Sequence, residues 1–304
     1  MTLVLSILGP ESVWTVADRC LTAAGRVERE DARKIIFLDT TDGLAILAYA
    51  GLGATARGTE PADWMSSVLR GRNWPLEQSL QARAQALRRE LPPHLARSRV
   101  HAGFSHNVLI SAFLNDDPRL YTIELQFSPH SRQIAFRRWV VSTEQNPART
   151  PRLAVAGSGS PVLARKTAWR RHVLRLVKAY DRGRITALTV ADALAAINHD
   201  VSLCLTNRTV GPKCIVAWRN RKTGVHQGGG GQQCYTGTAR DNNGLSLPAI
   251  GTGMDMHAVG EAIMAQAFTT LKARLDGDSS AELDIAALNA ALARLPDRPD
   301  EKLR

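Results

Sequence analysis

Apolar residues come first, in runs of strand length. TLVLSIL (2–8) and SVWTVA (12–17) flank the turn Gly9-Pro10-Glu11 and predict a hairpin that begins directly behind Met1-Thr2. KIIFL (34–38) and LAILAYAG (44–51) flank DTTDG and predict a second hairpin. The period then changes. In GTEPADWMSSVLRG, Thr59 is the expected N-cap, Pro61 sits in the first turn and Gly71 is the stop. A longer helix follows with Asn73 as cap. Its stripe of Leu76, Leu80, Ala84, Leu87 and Leu91 has helical spacing, and Pro92-Pro93 should end it.

The order repeats. NVLISAFL, RLYTIELQF, QIAFRRWVV and RLAVAG read as strands, the first two joined by NDDP. PVLARKTAWRRHVLRLVKAY (161–180) reads as a long helix with Trp169, Val173, Leu176 and Tyr180 on one face. Thr189 should cap a further helix, VADALAAIN. KCIVAWRN and VHQGGGG predict a last hairpin around RKTG. Beyond it, two amphipathic helices carry Val259, Ile263, Ala267 and Leu271, and then Ile285, Leu288, Leu292 and Leu295, with DGDSS between them.

Antiparallel strands followed by helix pairs do not fit a parallel sheet. Two stacked sheets, each covered outside by helices, would bury every apolar face. The expected class is therefore α+β, a four-layer αββα sandwich over residues 1–237, followed by a C-terminal helical extension, 238–304.

Composition refines this picture. The net charge is +11, but residues 226–304 hold 7 basic and 10 acidic side chains, which leaves the body at +14. A basic body can face an anionic partner such as nucleic acid, or its charge can meet the acidic tail of the same or a neighbouring subunit. The helix with Arg165, Lys166, Arg170, Arg171, Arg175 and Lys178 reads first as a solvated face. No apolar run of 18 residues predicts a membrane span, and the first residues lack the pattern of a signal peptide. Cys20, Cys204, Cys214 and Cys234 form no CxxC pair and suit buried thiols in a reducing compartment; the expected location is cytoplasmic. His101 and His106 show no ligand spacing, and GGGG at 228–231 lacks the Lys-Ser/Thr of a phosphate loop, so neither metal nor cofactor is expected.

A small residue behind Met1 suits removal of that methionine. Thr2 would then offer a hydroxyl nucleophile and an α-amine base on one residue. Such a nucleophile needs a nearby cation, and the cation needs a carboxylate to hold it.

The stretch TLVLSIL…VWTVADRCLTAAG…DARKIIFL…LAYAGLGA resembles the opening of proteasome β-subunits and of the bacterial HslV peptidase. The family places an Asp 16 residues after its Thr, and a Lys 16 residues after that Asp. Here these are Asp18 and Lys34. The resemblance implies that Thr2 is the nucleophile, that Lys34 lowers the pKa of its amine, and that Asp18 pairs with Lys34. It implies that the backbone of Thr22 holds the substrate strand, that the Gly51 amide forms the oxyanion hole, and that Tyr49 lines the first specificity pocket. AGSGSP makes Ser158 the hydroxyl near the nucleophile, although Ser158 also reads as a helix N-cap, and Tyr49 also reads as plain core. Asp200 matches the family's last active-site aspartate, behind a helix shorter than usual.

The likeness spans residues 2–230. Leu52 stands where a second glycine is frequent, and the tail has no counterpart in the small bacterial peptidase. This implies a divergent bacterial branch, either the Anbu group or the betaproteobacterial proteasome homologues. The implied function is a threonine-type peptidase in stacked homo-oligomeric rings of six or seven subunits, acting on peptides or proteins. An ATPase unfoldase is left open, and neither membrane nor nucleic acid is the expected partner. The alternatives are an N-terminal nucleophile (Ntn) hydrolase of a small amide, and a catalytically silent ring protein that binds an anion.

Overall fold

The computed structural model describes residues 2–23, 26–51, 60–98, 105–127, 132–140, 152–205, 209–242 and 246–293. The first hairpin forms as expected, from β1 (Leu3–Leu8) and β2 (Ser12–Asp18). A small ribbon of β3 (Leu21–Ala23) and β4 (Arg26–Arg29) follows, which the hydrophobic pattern did not reveal. Then come β5 (Ile35–Asp39), β6 (Gly43–Ala50), α1 (Pro61–Leu69) and α2 (Leu76–Ser98). The second round is β7 (Ser105–Leu114), β8 (Asp117–Phe127), β9 (Arg132–Val140), β10 (Arg152–Gly157), α3 (Ser160–Arg165), α4 (Thr167–Asp181) and α5 (Ala187–Cys204). The chain continues through β11 (Lys213–Asn220), β12 (Gly230–Thr236), β13 (Ala239–Asp241), β14 (Ala249–Gly251), β15 (Met254–Asp255), α6 (Met256–Leu275) and α7 (Ile285–Ala293).

Two sheets result, ordered β10-β1-β2-β11-β12-β13 and β15-β14-β5-β6-β7-β8-β9. They stack face to face. Val4, Leu8, Val13 and Ala17 of the first pack with Ile35, Ile46, Leu109 and Phe113 of the second. The other face of the first sheet, through Leu3, Leu5, Ile7 and Trp14, packs on Val173 and Val177 of α4 and Leu194 of α5. The other face of the second, through Ile36, Leu38 and Leu47, packs on Trp64 and Met65 of α1 and Leu80 of α2. The fold is a four-layer αββα sandwich. Both faces of the central strands are buried, so their sequences run apolar without alternation. A chain of buried hydroxyls, Ser6 to Thr15 to Ser111, crosses between the sheets at 3.2 and 3.0 Å, where three polar residues would otherwise lack partners.

Several boundaries differ from expectation. Helix α2 starts at Leu76, whose N–H donates to Asp42 rather than being capped by Asn73, and it runs through Pro92-Pro93 to Ser98. Helix α5 is capped by Thr186, which accepts from the N–H of Thr189; the expected cap is already inside the helix. Thr59 lies outside the described residues. The partner of β11 is GGQQCYT rather than VHQGGGG, because Gln227, Gly228 and Gly229 have positive φ and form the turn instead. The NDDP turn is left-handed at Asn115 and Asp116 (φ 49° and 63°), the backbone that joins strands of right-handed twist in two residues. The expected division at 237 falls in the turn between β12 and β13. Beyond it, Ala239–Asp241 still pairs with the first sheet and Ala249–Gly251 with the second.

Asp181 ends α4 inside this packing. Ser12 donates to one of its oxygens, and burial raises its carboxyl from 3.8 to about 6. The folded state therefore binds a proton more tightly than the unfolded state. The resulting stabilisation is present below pH 4 and is lost as the pH rises through 6, amounting to about 3 kcal/mol. Asp181→Asn should flatten this dependence and raise the melting temperature at pH 7.5. Calorimetry on both proteins between pH 4 and 8 checks it, and parallel pH profiles would contradict it.

Candidate functional site

Asp18 closes β2 and Lys34 stands immediately ahead of β5, so each belongs to a different sheet. Their side chains meet at 3.0 Å with almost no solvent exposure, 0% for Asp18 and 3% for Lys34. The ammonium of Lys34 has three N–H groups and three acceptors: Asp18 Oδ1, the Cys20 carbonyl at 2.5 Å and Thr2 Oγ1 at 2.6 Å. The Asp18 carboxylate is equally well served. Oδ1 also accepts from the Leu3 N–H at 2.8 Å and from the Thr2 hydroxyl, and Oδ2 accepts from the N–H groups of Cys20 and Gly211 at 3.0 and 3.2 Å. A buried pair is tolerable only when its remaining hydrogen-bonding capacity is met in this way.

Thr2 is buried at the head of β1, held from its other side by the loop after β10. Its carbonyl accepts from Ser158 Oγ and from the Gly159 N–H, both at 3.4 Å. Gly157 lies against it in a left-handed conformation (φ +95°), where a Cβ would stand 2.0 Å from the Thr2 oxygen. No side chain larger than hydrogen fits there. Ser158 is not a helix cap; Gly159 holds that position, and Ser158 also bonds Thr209 Oγ1 at 3.1 Å.

On the facing ladder the N–H of Tyr49 donates to the Lys34 carbonyl at 3.0 Å. Tyr49 is therefore the cross-strand neighbour of the lysine, and Gly51 lies two residues further along. The Tyr49 hydroxyl meets His106 Nδ1 at 2.5 Å beneath Gly51, and its ring packs edge-on against Trp64 at 5.8 Å. A Cβ on Gly51 would approach His106 Nδ1 to 2.6 Å. Thr22 lies on β3, two residues past the carbonyl that accepts from Lys34.

Asp200 lies elsewhere. It occupies the exposed side of α5, and no described hydrogen bond joins it to Thr2. The side chain from α5 that braces the site is Asn198, which donates to the Gly211 carbonyl at 3.0 Å and so fixes the loop whose N–H reaches Asp18. Asn198 and Thr209 carried no signal in the sequence beyond their nearness to the expected aspartate. Burial raises the Cys20 and Cys214 thiols, which keeps them in the neutral form. Among the described residues no group of His, Cys, Asp and Glu gathers as a metal site. His101 lies outside those residues.

No family model and no curated protein matches the chain. Among solved structures it is similar to a Gly-1 mutant of Anbu from Hyphomicrobium sp. strain MC1, at 16% identity over 73% of this chain and 83% of that one, with a TM-score of 0.43. It is also similar to Anbu, described as an ancestral beta-subunit, from Yersinia bercovieri, at 14% identity over 75% and 86%, with a TM-score of 0.41.

Because Asp18 and Lys34 satisfy each other away from water, removing one charge should cost more than removing both. Lys34→Met should destabilise the fold by about 3–5 kcal/mol, since it leaves a buried carboxylate uncompensated. The double variant Asp18→Asn with Lys34→Met should recover part of that loss. Urea unfolding of the three proteins checks the order, and a double variant less stable than Lys34→Met would contradict it.

Proposed function

We propose that the chain is a threonine-type N-terminal nucleophile hydrolase of peptide bonds, working as subunits of a closed ring. One observation carries this reading: the hydroxyl of Thr2 rests on a buried, fully hydrogen-bonded lysine–aspartate pair. An ordinary structural threonine does not need that setting.

In the proposed reaction, Thr2 acts once nothing precedes it and its α-amine is free. Oγ1 bonds to the carbonyl carbon of the substrate as its proton passes to that amine, directly or through a water. The C–N bond then breaks and the leaving amine takes up the proton. Water hydrolyses the resulting ester by the same route, which frees the acid and restores Thr2. Lys34 holds positive charge against Oγ1 throughout, and Asp18 keeps the lysine in place. Gly51, two residues past the cross-strand neighbour of Lys34, supplies the N–H for the carbonyl oxygen as it becomes an oxyanion. Strand β3 at Thr22 offers backbone to an extended substrate strand.

The ring is supported by α6. This helix buries none of its residues, yet Met264, Phe268, Leu271 and Leu275 are among its apolar side chains, and the last is 79% exposed. Large apolar side chains left exposed along one side of a helix mark contacts with other chains. The acidic tail and the basic face of α4 are suited to such contacts by charge.

Two predictions test this. Intact mass should show an active chain that starts at Thr2. Thr2→Ala should abolish amide turnover and labelling by peptide vinyl sulfones, whereas Thr2→Ser should retain part of both. Full turnover in Thr2→Ala, or in a chain that keeps Met1, would refute the mechanism. For assembly, light scattering should find particles of at least six subunits. Phe268→Glu with Leu275→Glu should shift them to smaller species, and a wild-type monomer at low salt would refute the ring.

A further inference from the structure

Helix α2 turns Arg83 inward. Its side chain is fully buried, and Nε, Nη1 and Nη2 have no hydrogen-bond partner among the described residues. Arg19, Arg70, Arg119, Arg219 and Arg221 each leave only Nε in that condition. The Arg83 guanidinium lies 3.6 Å over the ring of Trp64, whose buried indole N–H likewise has no partner among the described residues. Beside them are the Tyr49 hydroxyl and His106. Guanidinium and indole nitrogens only donate, so what this cluster lacks among the described residues is an acceptor, and beside a buried cation the fitting acceptor is an anion.

Its location decides which anion. Tyr49 is the cross-strand neighbour of Lys34, which holds Thr2 Oγ1, and cross-strand side chains on one face stand about 5 Å apart. Tyr49 is 6% exposed, next to Gly51, while Arg83 and His106 show no surface and Trp64 almost none. A group entering past a displaced Tyr49 ring would therefore come from a substrate already lying across Thr2.

Resting on the reading of Thr2 as nucleophile, we propose that the cluster of Arg83, Trp64 and Tyr49 receives the carboxylate of an acidic residue on the acyl side of the cleaved bond. Burial lowers the Arg83 guanidinium to about 9, and a bound carboxylate would restore the charge partner it lacks. The enzyme is thus selective for Glu or Asp at that position, where a neutral isostere would leave the guanidinium unpaired.

The test measures labelling rates with peptide vinyl sulfones that end in Glu, Gln or Leu. In the wild type the Glu probe should react about tenfold faster than the Gln probe, the advantage of one charge-assisted contact. In Arg83→Met the Glu:Gln ratio should fall to about one, and Arg83→Lys should keep an intermediate ratio. Both probes are read on the same protein, so partial loss of folding cancels. A wild-type ratio near one, with the Leu probe still labelling Thr2, overturns the acidic preference and leaves the nucleophile standing. A ratio that persists in Arg83→Met overturns the role of Arg83. Labelling by none of the probes sinks the nucleophile itself, and the selectivity with it. Sodium propionate separates the two sources of carboxylate. If it raises the melting temperature of the wild type but not of Arg83→Met, and no Glu preference exists, the cluster holds a free carboxylate and the substrate assignment is wrong.

Discussion

The pairing of Asp18 with Lys34 is the constraint on which the rest depends. Two charges removed from water cost several kcal/mol each unless their surroundings restore what water supplied. Here the restoration comes from four places in the chain. Leu3 opens β1, Cys20 follows β2, Gly211 precedes β11, and Thr2 heads the chain into the first sheet. Each contributes a donor, and the Cys20 carbonyl contributes an acceptor. The pair therefore fixes where those segments end relative to one another. It also joins the two sheets at the ends of interior strands, because Asp18 ends β2 of the first and Lys34 leads into β5 of the second.

The sandwich explains why Thr2, Asp18 and Lys34 meet at strand ends. Between the sheets the space is filled by Val4, Leu8, Ile46 and Phe113, where the backbone N–H groups are committed to the ladders and the hydroxyls of Ser6, Thr15 and Ser111 to one another, so a charge there would be poorly solvated. At the ends of strands the backbone leaves the ladder and its N–H groups become available to side chains. Gly157 and Gly211 allow the close approach. One lets the Thr2 carbonyl pass where any Cβ would collide, and the other brings its N–H to Asp18 with a Cβ site 2.8 Å from the Cys20 side chain. Rigidity of the layers then becomes rigidity of the cluster, since Thr2, Asp18 and Lys34 are continuations of the packed strands.

Much of this was legible in the sequence. Strands buried on both faces announce themselves by unbroken apolar runs, as in LVLSIL and GLAILAYA, and the first hairpin brings Thr2 to Asp18, whereas Lys34 reaches them only because the second sheet stacks on the first. What was not legible depends on contacts between distant segments. Asp200 stood in a promising place by order along the chain, but helix α5 turns it to solvent and presents Asn198 inward instead. The tail looked like two helices appended to a finished domain. Its short strands β13 and β14 were invisible, because three residues added to a sheet edge take their stability from the neighbour and not from their own pattern.

Arg83 is the instructive case between these extremes. It lies seven residues after Leu76 and three after Leu80, on the same apolar stripe as Leu87, so its burial follows from helical period alone. An arginine at a stripe position is an anomaly that sequence can show. What sequence cannot show is whether the charge meets a partner once inside. Lys34 and Arg83 are both buried cations within one end of the fold, and they differ in that respect: the lysine has an acceptor for every N–H, whereas among the described residues the arginine has only the face of Trp64. A satisfied buried cation organises its surroundings and is fixed by them. An unsatisfied one leaves interaction energy unrealised until an anion arrives, which is the physical condition for recognising one.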